Sequence, residues 1–334
     1  MTKTTLKIAA LSGGAALGLS LAAGSAAAQE FDLRLATVVN APHPWIDMAE
    51  FFAEEIAERT DGAVAVSVFP GGSLGDDATA IDEMRVGTVD FTIGGTQNAA
   101  PFVPEYQIFG LSYLFEGMDH FRKATDPDGP VFAYFEEAYE DHGVNLKLLA
   151  LSGGGVRNLS NARGEIESPD DLDGVRMRVP GSPLESTLWS AQGAVTSSLP
   201  WTDLYQAVQT GLVEAFESTI SGYYGANLHE VAPYHSVTQH QIMMTHFSMS
   251  EPTWNRLPEE YRQIIAEVAQ EAGELGTAKG EEYDESLLVS LVEDFGVTVT
   301  EVDRQAFIDN VVDLHEEYAE DLGVSDLLET IRNL

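Results

Sequence analysis

The sequence predicts an α/β protein with two lobes and a cleft between them. Strand-like and helix-like segments alternate along the chain in two successive units, one on each side of residue 150. Such alternation is typical of layered folds with a largely parallel sheet. After residue 250 the segments become long and helical, with apolar residues at helical spacing. We therefore expect long carboxy-terminal helices that cross both lobes, and a ligand cleft where the lobes meet.

The first unit has the order strand, helix, strand, helix, strand. Apolar and polar residues alternate from Phe31 to Ala36 and from Val64 to Phe69, and Asp90 to Ile93 is a short third strand. Residues 45–59 and 76–86 carry apolar side chains at a helical period. Together these segments predict one α/β unit.

The second unit repeats this alternation. Leu148 to Leu151 is an apolar run, and the glycines from Gly153 to Gly155 predict a turn after it. The remaining segments are predicted strands over residues 174–180, 195–197 and 212–216, and predicted helices over residues 183–192 and 202–210. Three further helices are predicted over residues 252–274, 281–295 and 307–322.

The first 28 residues have the pattern of a secretory signal peptide. Lys3 and Lys7 precede a weakly apolar run, which ends at the small residues Ala26 to Ala28. A permanent membrane anchor is the alternative, but a run made mostly of Ala and Gly gains little from lipid burial. We predict cleavage near Ala28, export to the periplasm and no direct membrane insertion of the mature protein. Residues 29–150 are expected to form mainly lobe 1, residues 151–250 mainly lobe 2, and residues 251–334 helices that span both lobes.

The charge of the chain excludes several classes of partner. The 334 residues include 17 Lys and Arg against 54 Asp and Glu, which gives a formal net charge of -37. Such a surface repels phosphate, so nucleic acid is excluded, and it repels acidic lipid headgroups. The sequence has no cysteine, so disulfides, thiolate metal sites and a cysteine nucleophile are excluded.

Catalytic motifs are scarce in the sequence. It contains no His-Glu-x-x-His and no phosphate-binding Gly-Lys-Ser/Thr segment, and its one Gly-x-Ser-x-Gly match, Gly71 to Gly75, lies in the glycine-rich turn that ends the strand from Val64 to Phe69. His235, His240 and His246 are spaced by five and six residues, which suits neither one helix face nor one strand face. We expect structural roles for them. The sequence predicts a protein without enzymatic activity, cofactor or metal.

The scarce basic residues are more informative than the abundant acids. Four arginines lie within residues 157–178, namely Arg157, Arg163, Arg176 and Arg178. Arg176 and Arg178 are two residues apart, so on a strand they share one face. An arginine offers a planar fork that matches a carboxylate through two hydrogen bonds. A buried arginine in a cleft would therefore attract an organic acid. The alternative is that these arginines pair with surface acids.

Two segments carry a resemblance to a known family. They run from Gly174 to Pro180 and from Leu199 to Ala215, and they closely resemble the DctP-type periplasmic solute-binding proteins of TRAP transporters. The segments from Phe69 to Asp76, Met84 to Phe91 and Phe102 to Tyr106 also fit the family. The resemblance covers essentially the whole mature chain. It implies a clamp like that of periplasmic binding proteins, which closes on a small organic acid and delivers it to a sodium-driven permease.

The resemblance also implies which residues bind the acid. Arg178 matches the family arginine that forms a bidentate salt bridge with the substrate carboxylate, and Arg157 matches a second, supporting arginine. Trp201 matches the bulky aromatic wall of the pocket. Asp77 and His43 match positions in the first lobe that often reach the ligand.

Two positions depart from the family pattern and leave the substrate open. Ser218 stands where many members have an amide near the carboxylate, and its reach is shorter. Gly95 stands where members that bind sialic acid have a glutamate, so sialic acid is not expected. Dicarboxylates, 2-oxo acids, sugar acids and aromatic acids all remain possible ligands.

The expected partners are the small organic acid and the membrane subunits of a TRAP permease, and the protein itself is expected to be a monomer. Two other readings stay open at this point. The protein could present its ligand to a sensor kinase instead of a permease. It could also be an exported hydrolase that acts on organic acids, although the absence of a metal-binding motif argues against this.

Overall fold

The computed structural model describes residues 1–2 and 29–334, so the predicted signal peptide lies outside the described residues except for its first two positions. The described part forms a mixed α/β fold with one nine-stranded sheet. In this part of the chain, no helix combines the length and the apolar character that crossing a membrane requires.

The first α/β unit forms largely as predicted. Its elements are β1 (Phe31–Ala36), α1 (Pro44–Arg59), β2 (Val64–Phe69), α2 (Asp77–Arg85), β3 (Phe91–Gly95), α3 (Thr96–Ala99), α4 (Met118–Ala124) and α5 (Pro130–Asp141), with a 3-10 helix over Pro104–Gly110. Helix α1 begins at a proline, and the His43 ring caps it by accepting a hydrogen bond from the backbone N–H of Trp45. Asp76 caps α2 in the same way, through the N–H of Thr79.

The second unit follows with two much longer strands around it. Its elements are β4 (Leu146–Asn161), β5 (Arg176–Val179), α6 (Pro183–Ala191), β6 (Val195–Ser198), α7 (Leu204–Gln209), β7 (Ala215–Thr219), α8 (Ile220–Gly225) and β8 (Tyr234–Ser250), with 3-10 helices over Pro169–Leu172, Trp201–Asp203 and Leu228–Glu230. The 17-residue strand β8 was not predicted from the sequence.

The sheet joins two groups of parallel strands through a central antiparallel pair. Its order is β2-β1-β3-β8-β4-β7-β5-β6. Strand β1 is parallel to β2 and β3, and strand β5 is parallel to β6 and β7. We call the group around β1–β3 lobe 1 and the group around β5–β7 lobe 2; β4 and β8 run through both. The predicted domain boundaries fall within β4 and at the end of β8, and they stay a prediction.

After α9 (Glu251–Trp254), a single helix replaces two predicted ones. Helices were predicted over residues 252–274 and 281–295, but α10 (Glu259–Glu293) is continuous over 35 residues. At 1.5 Å per residue it is about 52 Å long. It packs on α1 of lobe 1, on the central strand β4 and on α8 of lobe 2, so it spans both lobes as predicted.

The glycines inside α10 are sites of close approach, which is why they do not end the helix. A Cβ at Gly276 would overlap Sδ of Met48, and a Cβ at Gly280 would lie 2.6 Å from the backbone nitrogen of Gly155. Since no side chain fits there, glycine lets the helix lie directly on its neighbours.

The turn predicted for Gly153 to Gly155 is wrong for the same reason. Strand β4 continues through these residues, although its register with β8 shifts between Gly153 and Val156. Gly153 and Gly155 make room for Thr277 and Asp284 of α10. Gly155 has a φ of +103°, a conformation that favours glycine, at the point where β4 bulges. A glycine run in the interior of a strand therefore marks a close helix contact here rather than the end of the strand.

The carboxy-terminal helix predicted over residues 307–322 is divided. Strand β9 (Thr298–Thr300) pairs with β8, and three short helices follow: α11 (Arg304–Asp309), α12 (Leu314–Leu322) and α13 (Ser325–Arg332). The apolar residues of α12 and α13 join the same hydrophobic cluster as Phe135 of α5. The chain thus returns to lobe 1 at its end.

The three clustered histidines all lie on β8 and are buried. His235 shares a hydrogen bond with Ser160 at 2.9 Å, and His246 shares one with Ser248 at 2.8 Å. The ring of His240 bonds the hydroxyl of Thr238 at 2.9 Å. These contacts fit the structural roles expected for them.

Candidate ligand-binding site

A cavity lies between the two lobes, and its volume is about 360 Å³ when its opening to solvent is included. Its wall in lobe 1 is formed by Val38, Val39, His43, Trp45, Gln97 and Asn98. Its wall in lobe 2 is formed by Arg178, Pro180, Trp201, Ser218, Thr219 and Gly222, and the central strands add Arg157 and Met243. Several of these residues lie at or just beyond the carboxyl ends of β1, β3, β5 and β7, which is where open α/β sheets bind ligands.

Arg178 provides an uncompensated positive charge in this cavity. It lies on β5, and its side chain is 1% exposed. Its Nε donates to the carbonyl of Leu199 at 2.9 Å, and its guanidinium lies 5.7 Å from the ring centroid of Trp201. Within the described chain, its two terminal nitrogens have no hydrogen bond or ion pair. Burial lowers the pKa of Arg178 to about 10 despite the charge of Glu217, so the side chain stays protonated at neutral pH.

Arg157 also lines the cavity, but its charge is already neutralised. Its Nε forms an ion pair with the carboxylate of Glu217, and its Nη2 donates to the carbonyl of Glu217 at 3.3 Å. Both side chains are almost completely buried. Burial alone would lower the pKa of Arg157 and raise that of Glu217, but each charge outweighs this effect on its partner. The pair is therefore ionised and nearly neutral as a unit.

A second buried acid near these residues adds no negative charge. Glu185 of α6 is buried, and burial together with the nearby Glu217 raises its pKa to about 8. At neutral pH Glu185 is therefore mainly protonated. Arg178 remains as the positive charge that faces the cavity, and this arrangement favours a single anionic group beside it.

His43 is a neutral hydrogen-bond donor in the wall of lobe 1. Its Nδ1 accepts the backbone N–H of Trp45 at 3.1 Å. Burial, assisted by the charge of Arg157, lowers the pKa of His43 to about 3. The ring is therefore neutral, and because Nδ1 is an acceptor, the proton resides on Nε2.

Trp201 and Ser218 lie in the wall of lobe 2. A Cβ at Gly222 would lie 3.3 Å from Cη2 of Trp201, so glycine at this position leaves room for the indole. The hydroxyl of Ser218 is buried and has no hydrogen-bond partner among the residues that the structure describes. It can donate to or accept from a group in the cavity.

Asp77 departs from the prediction, because it does not line the cavity. It is 8% exposed and lies behind Asn98, whose Nδ2 donates to its carboxylate at 2.9 Å. The Oδ1 of Asn98 accepts the backbone N–H of Gly181, from lobe 2, at 3.3 Å. Burial raises the pKa of Asp77 to about 7, although the charge of Arg178 opposes this. Its link to the cavity is thus indirect, through Asn98.

Five of the six predicted site residues therefore meet at one cavity: Arg178, Arg157, Trp201, Ser218 and His43. Sequence reasoning missed Gln97 and Asn98. A usable signal existed, because these polar residues directly follow the buried strand β3, and strand ends are favoured positions for ligand contacts. Glu217 was missed as well, although an acid within the otherwise uncharged segment Ala215–Thr219 indicates a buried partner.

Known proteins resemble this chain in both sequence and fold. The sequence model of bacterial extracellular solute-binding protein family 7, DctP, matches residues 35–321. A solute-binding protein of Roseobacter denitrificans is 33% identical over 297 residues, which cover 86% of this chain and 87% of that protein.

Two solved structures extend the comparison to the fold. A TRAP periplasmic solute-binding protein of Roseobacter denitrificans, solved with L-galactonate bound, is 29% identical with a TM-score of 0.84, and the match covers 91% of this chain and 99% of that one. One from Sulfitobacter, solved with β-D-galacturonate bound, is 27% identical with a TM-score of 0.84, and the match covers 91% and 100%.

These matches extend over most of the chain and include both lobes and the long helix α10. The matched proteins bind solutes and are not enzymes, which sets aside the hydrolase alternative. The family is extracytoplasmic. The chain belongs to the DctP family of bacterial extracellular solute-binding proteins.

Proposed function

We propose that this protein captures a small organic acid in the periplasm and delivers it to a sodium-driven TRAP permease. The observation that carries the proposal is Arg178, a buried guanidinium that lines the cavity and whose two terminal nitrogens have no ion partner in the described chain. A carboxylate would accept both N–H groups through the parallel geometry that arginine favours. Trp201 would cover the pair and exclude water.

The related structures support a carboxylate ligand. L-galactonate and β-D-galacturonate are the molecules bound in the two solved relatives, and each carries one carboxylate. In our proposal Arg178 binds the carboxylate of the solute, Arg157 and Ser218 support it, and His43 contacts the body of the molecule. Asp77 acts through Asn98.

The cavity lies between two lobes, which supports a clamp mechanism. A solute that contacts both walls binds the closed state better than the open one, and it therefore shifts the protein toward closure. We propose that cleavage near Ala28 releases the protein as a periplasmic monomer. The closed form would then dock on the permease.

Arg178→Ala tests the carboxylate site. Removing one partner of a buried ion pair typically costs about 3–5 kcal/mol, so the Kd for the cognate acid should rise by about a hundredfold or more. Isothermal titration calorimetry of the mature protein measures this change. An unchanged Kd would contradict the assignment of Arg178.

Arg176→Ala is the matched control. It lies two residues earlier on the same strand, but its side chain is half exposed and pairs with Glu214 at 3.2 Å. We expect its Kd to match that of the wild type. Arg178→Lys keeps the charge without the planar fork, so it separates loss of charge from loss of geometry if Arg178→Ala folds poorly.

A further inference from the structure

Gln97 is a buried amide in the cavity wall whose carbonyl oxygen lacks a partner. It lies in the first turn of α3, directly after β3, and it is 3% exposed. Its Nε2 is 3.8 Å from Sδ of Met243, a weak contact, and its Oε1 has no hydrogen-bond partner in the part of the chain that the structure describes. A buried acceptor without a hydrogen bond costs free energy. A ligand that donates a hydrogen bond to it removes this cost and therefore binds more tightly.

Gly95 determines where this amide lies. A Cβ at position 95 would be 2.6 Å from Nε2 and 2.7 Å from Oε1 of Gln97. The backbone of Gly95 has a φ of -76°, which any residue can adopt. Space for the Gln97 amide, rather than backbone strain, is therefore what requires glycine at this position.

The hydrogen-bonding groups of the two walls differ. On the side of lobe 2, Arg178 has unused N–H donors for one carboxylate. On the side of lobe 1, Gln97 offers an acceptor, and the Nε2–H of His43 offers a donor. A hydroxyl is the common group that both accepts from a donor and donates to an acceptor. A second carboxylate or a keto oxygen only accepts, so neither can pair with the Oε1 of Gln97.

The charges of the cavity lead to the same class of molecule. Arg157 is paired with Glu217, so a single guanidinium remains for an anionic ligand. A dicarboxylate would bring a second negative charge with no cation to receive it, and it would place that charge beside an acceptor.

We propose that Gln97, positioned by Gly95, recognises a hydroxyl of the solute, and that the solute is a hydroxy acid with a single carboxylate. This inference rests on the proposed function, because it assumes that Arg178 binds the carboxylate. A site that hydrogen-bonds a substrate hydroxyl strongly rejects analogues that lack it, so Gln97 determines specificity within the organic acids.

A thermal-shift screen against organic acids sorted by class tests the proposal. The classes are hydroxy monocarboxylates such as L-galactonate and 2-hydroxybutanoate, dicarboxylates such as galactarate and succinate, and acids without hydroxyls such as 2-oxobutanoate. We expect the concentration-dependent shifts to come from the first class. In calorimetry, the best hydroxy acid should bind at least about tenfold more tightly than its oxo or dicarboxylate counterpart.

Gln97→Met keeps the length of the side chain but removes the amide. It should weaken binding of the hydroxy acid about 5- to 10-fold and reduce the preference over the oxo counterpart. Gly95→Ala should have the same effect by displacing the amide. Gln192→Met is the control, because this buried glutamine bonds Phe307 far from the cavity; it should lower the Tm and leave the preference intact.

The outcomes separate this inference from the proposed function. Tight binding of dicarboxylates or oxo acids, with no effect of Gln97→Met on selectivity, would overturn the role of Gln97 and leave the carboxylate site standing. Shifts caused by neutral sugars or peptides but by no acid, or no shift with any compound, would overturn both.

Discussion

Glu217 defines the electrostatics of the site from a fully buried position. It neutralises Arg157 and lies 3.6 Å from Nε2 of His240. Burial lowers the pKa of His240 despite this carboxylate, so the ring is neutral. Glu217 therefore forms its ion pair with Arg157 and not with His240. One acid and two arginines thus leave a single positive charge, and that charge belongs to Arg178.

Glu217→Gln should destabilise the protein. The substitution keeps the shape of the side chain but leaves the guanidinium of Arg157 buried without a counter-charge, which costs about 3 kcal/mol or more. Urea denaturation measures the loss. Glu214→Gln is the control, because Glu214 pairs with the half-exposed Arg176 and such pairs contribute less than about 1 kcal/mol. Equal losses in both variants would contradict the role given to Glu217.

The residues of the cavity were only partly predictable from the sequence. Arg178 and Trp201 lie in segments that resemble the family, and Arg157 matches a second family arginine, so the resemblance predicted all three. Gln97 does not lie in such a segment. Its place in the site depends on the absence of a Cβ at Gly95, which leaves room for the Gln97 amide, and only the fold reveals this contact. Asp77 was misjudged because one intervening side chain, Asn98, is enough to separate it from the cavity.

At the scale of elements, α10 is attached to the bulged region of β4. Thr277 accepts the backbone N–H of Gly153 at 2.8 Å, and Asp284 accepts that of Val156 at 2.7 Å. These two bonds hold the helix to the central strands at the point where β4 changes register. The helix and the central strands are therefore joined at the level where the two lobes meet.

Asp284 makes this connection sensitive to pH. Burial raises its pKa from an ordinary 3.8 to about 7. Between about pH 4 and pH 7 the folded chain keeps a proton that the unfolded chain has lost, so the free energy of unfolding falls as the pH rises through this range. Asp284→Asn removes the titration, and wild type should lose up to about 4 kcal/mol relative to the variant by pH 8.

Chemical denaturation of both proteins at several pH values measures this difference. The comparison cancels the contribution of His43, His235 and His246, whose lowered pKa values act in the opposite direction. Asp294→Asn, an exposed acid just after α10, is the control. A difference between wild type and Asp284→Asn that is constant from pH 4 to pH 8 would refute the assignment.

Most short elements were predictable because their periodicity is local. Strand β1 and strand β2 have the predicted bounds, and α1 differs by one residue. The errors concern β4, β8 and α10, which are long, central and packed on several sides. For these elements the surrounding contacts override local signals, so glycines that normally end an element lie inside one.

At the scale of the whole molecule, Asn98 joins the two lobes across the cavity. Asn98→Ala removes the acceptor for the Gly181 N–H, and one hydrogen bond is worth about 0.5–1.5 kcal/mol. The closed state should lose about that much, so the Kd of the cognate acid should rise about 2- to 10-fold. Small-angle scattering at subsaturating ligand should show a larger mean radius of gyration.

Asn333→Ala is the control, because Asn333 donates to Glu329 near the carboxyl terminus, far from the cavity. The affinity of Asn333→Ala for the cognate acid should equal that of wild type. Should Asn98→Ala bind as tightly as wild type, Asn98 would have no part in closure.

The acidic exterior and the anionic ligand are compatible because they act at different distances. The net charge of -37 is screened over about 8 Å in physiological salt, whereas Arg178 acts from a buried position at the cavity wall. The net charge of the chain is therefore an indication of its solubility, whereas the few buried arginines indicate what it binds.

The pairing of β3 with β8 has a consequence for how the chain folds. Residues 91–95 bond to residues 245–249, so the sheet of lobe 1 is completed by a strand that lies more than 140 residues further along the chain. Such pairing must overcome a large loop-closure entropy, and it slows folding. Lobe 1 consequently cannot complete its fold while the chain is emerging, and the last third of the sequence has to arrive before either lobe is finished.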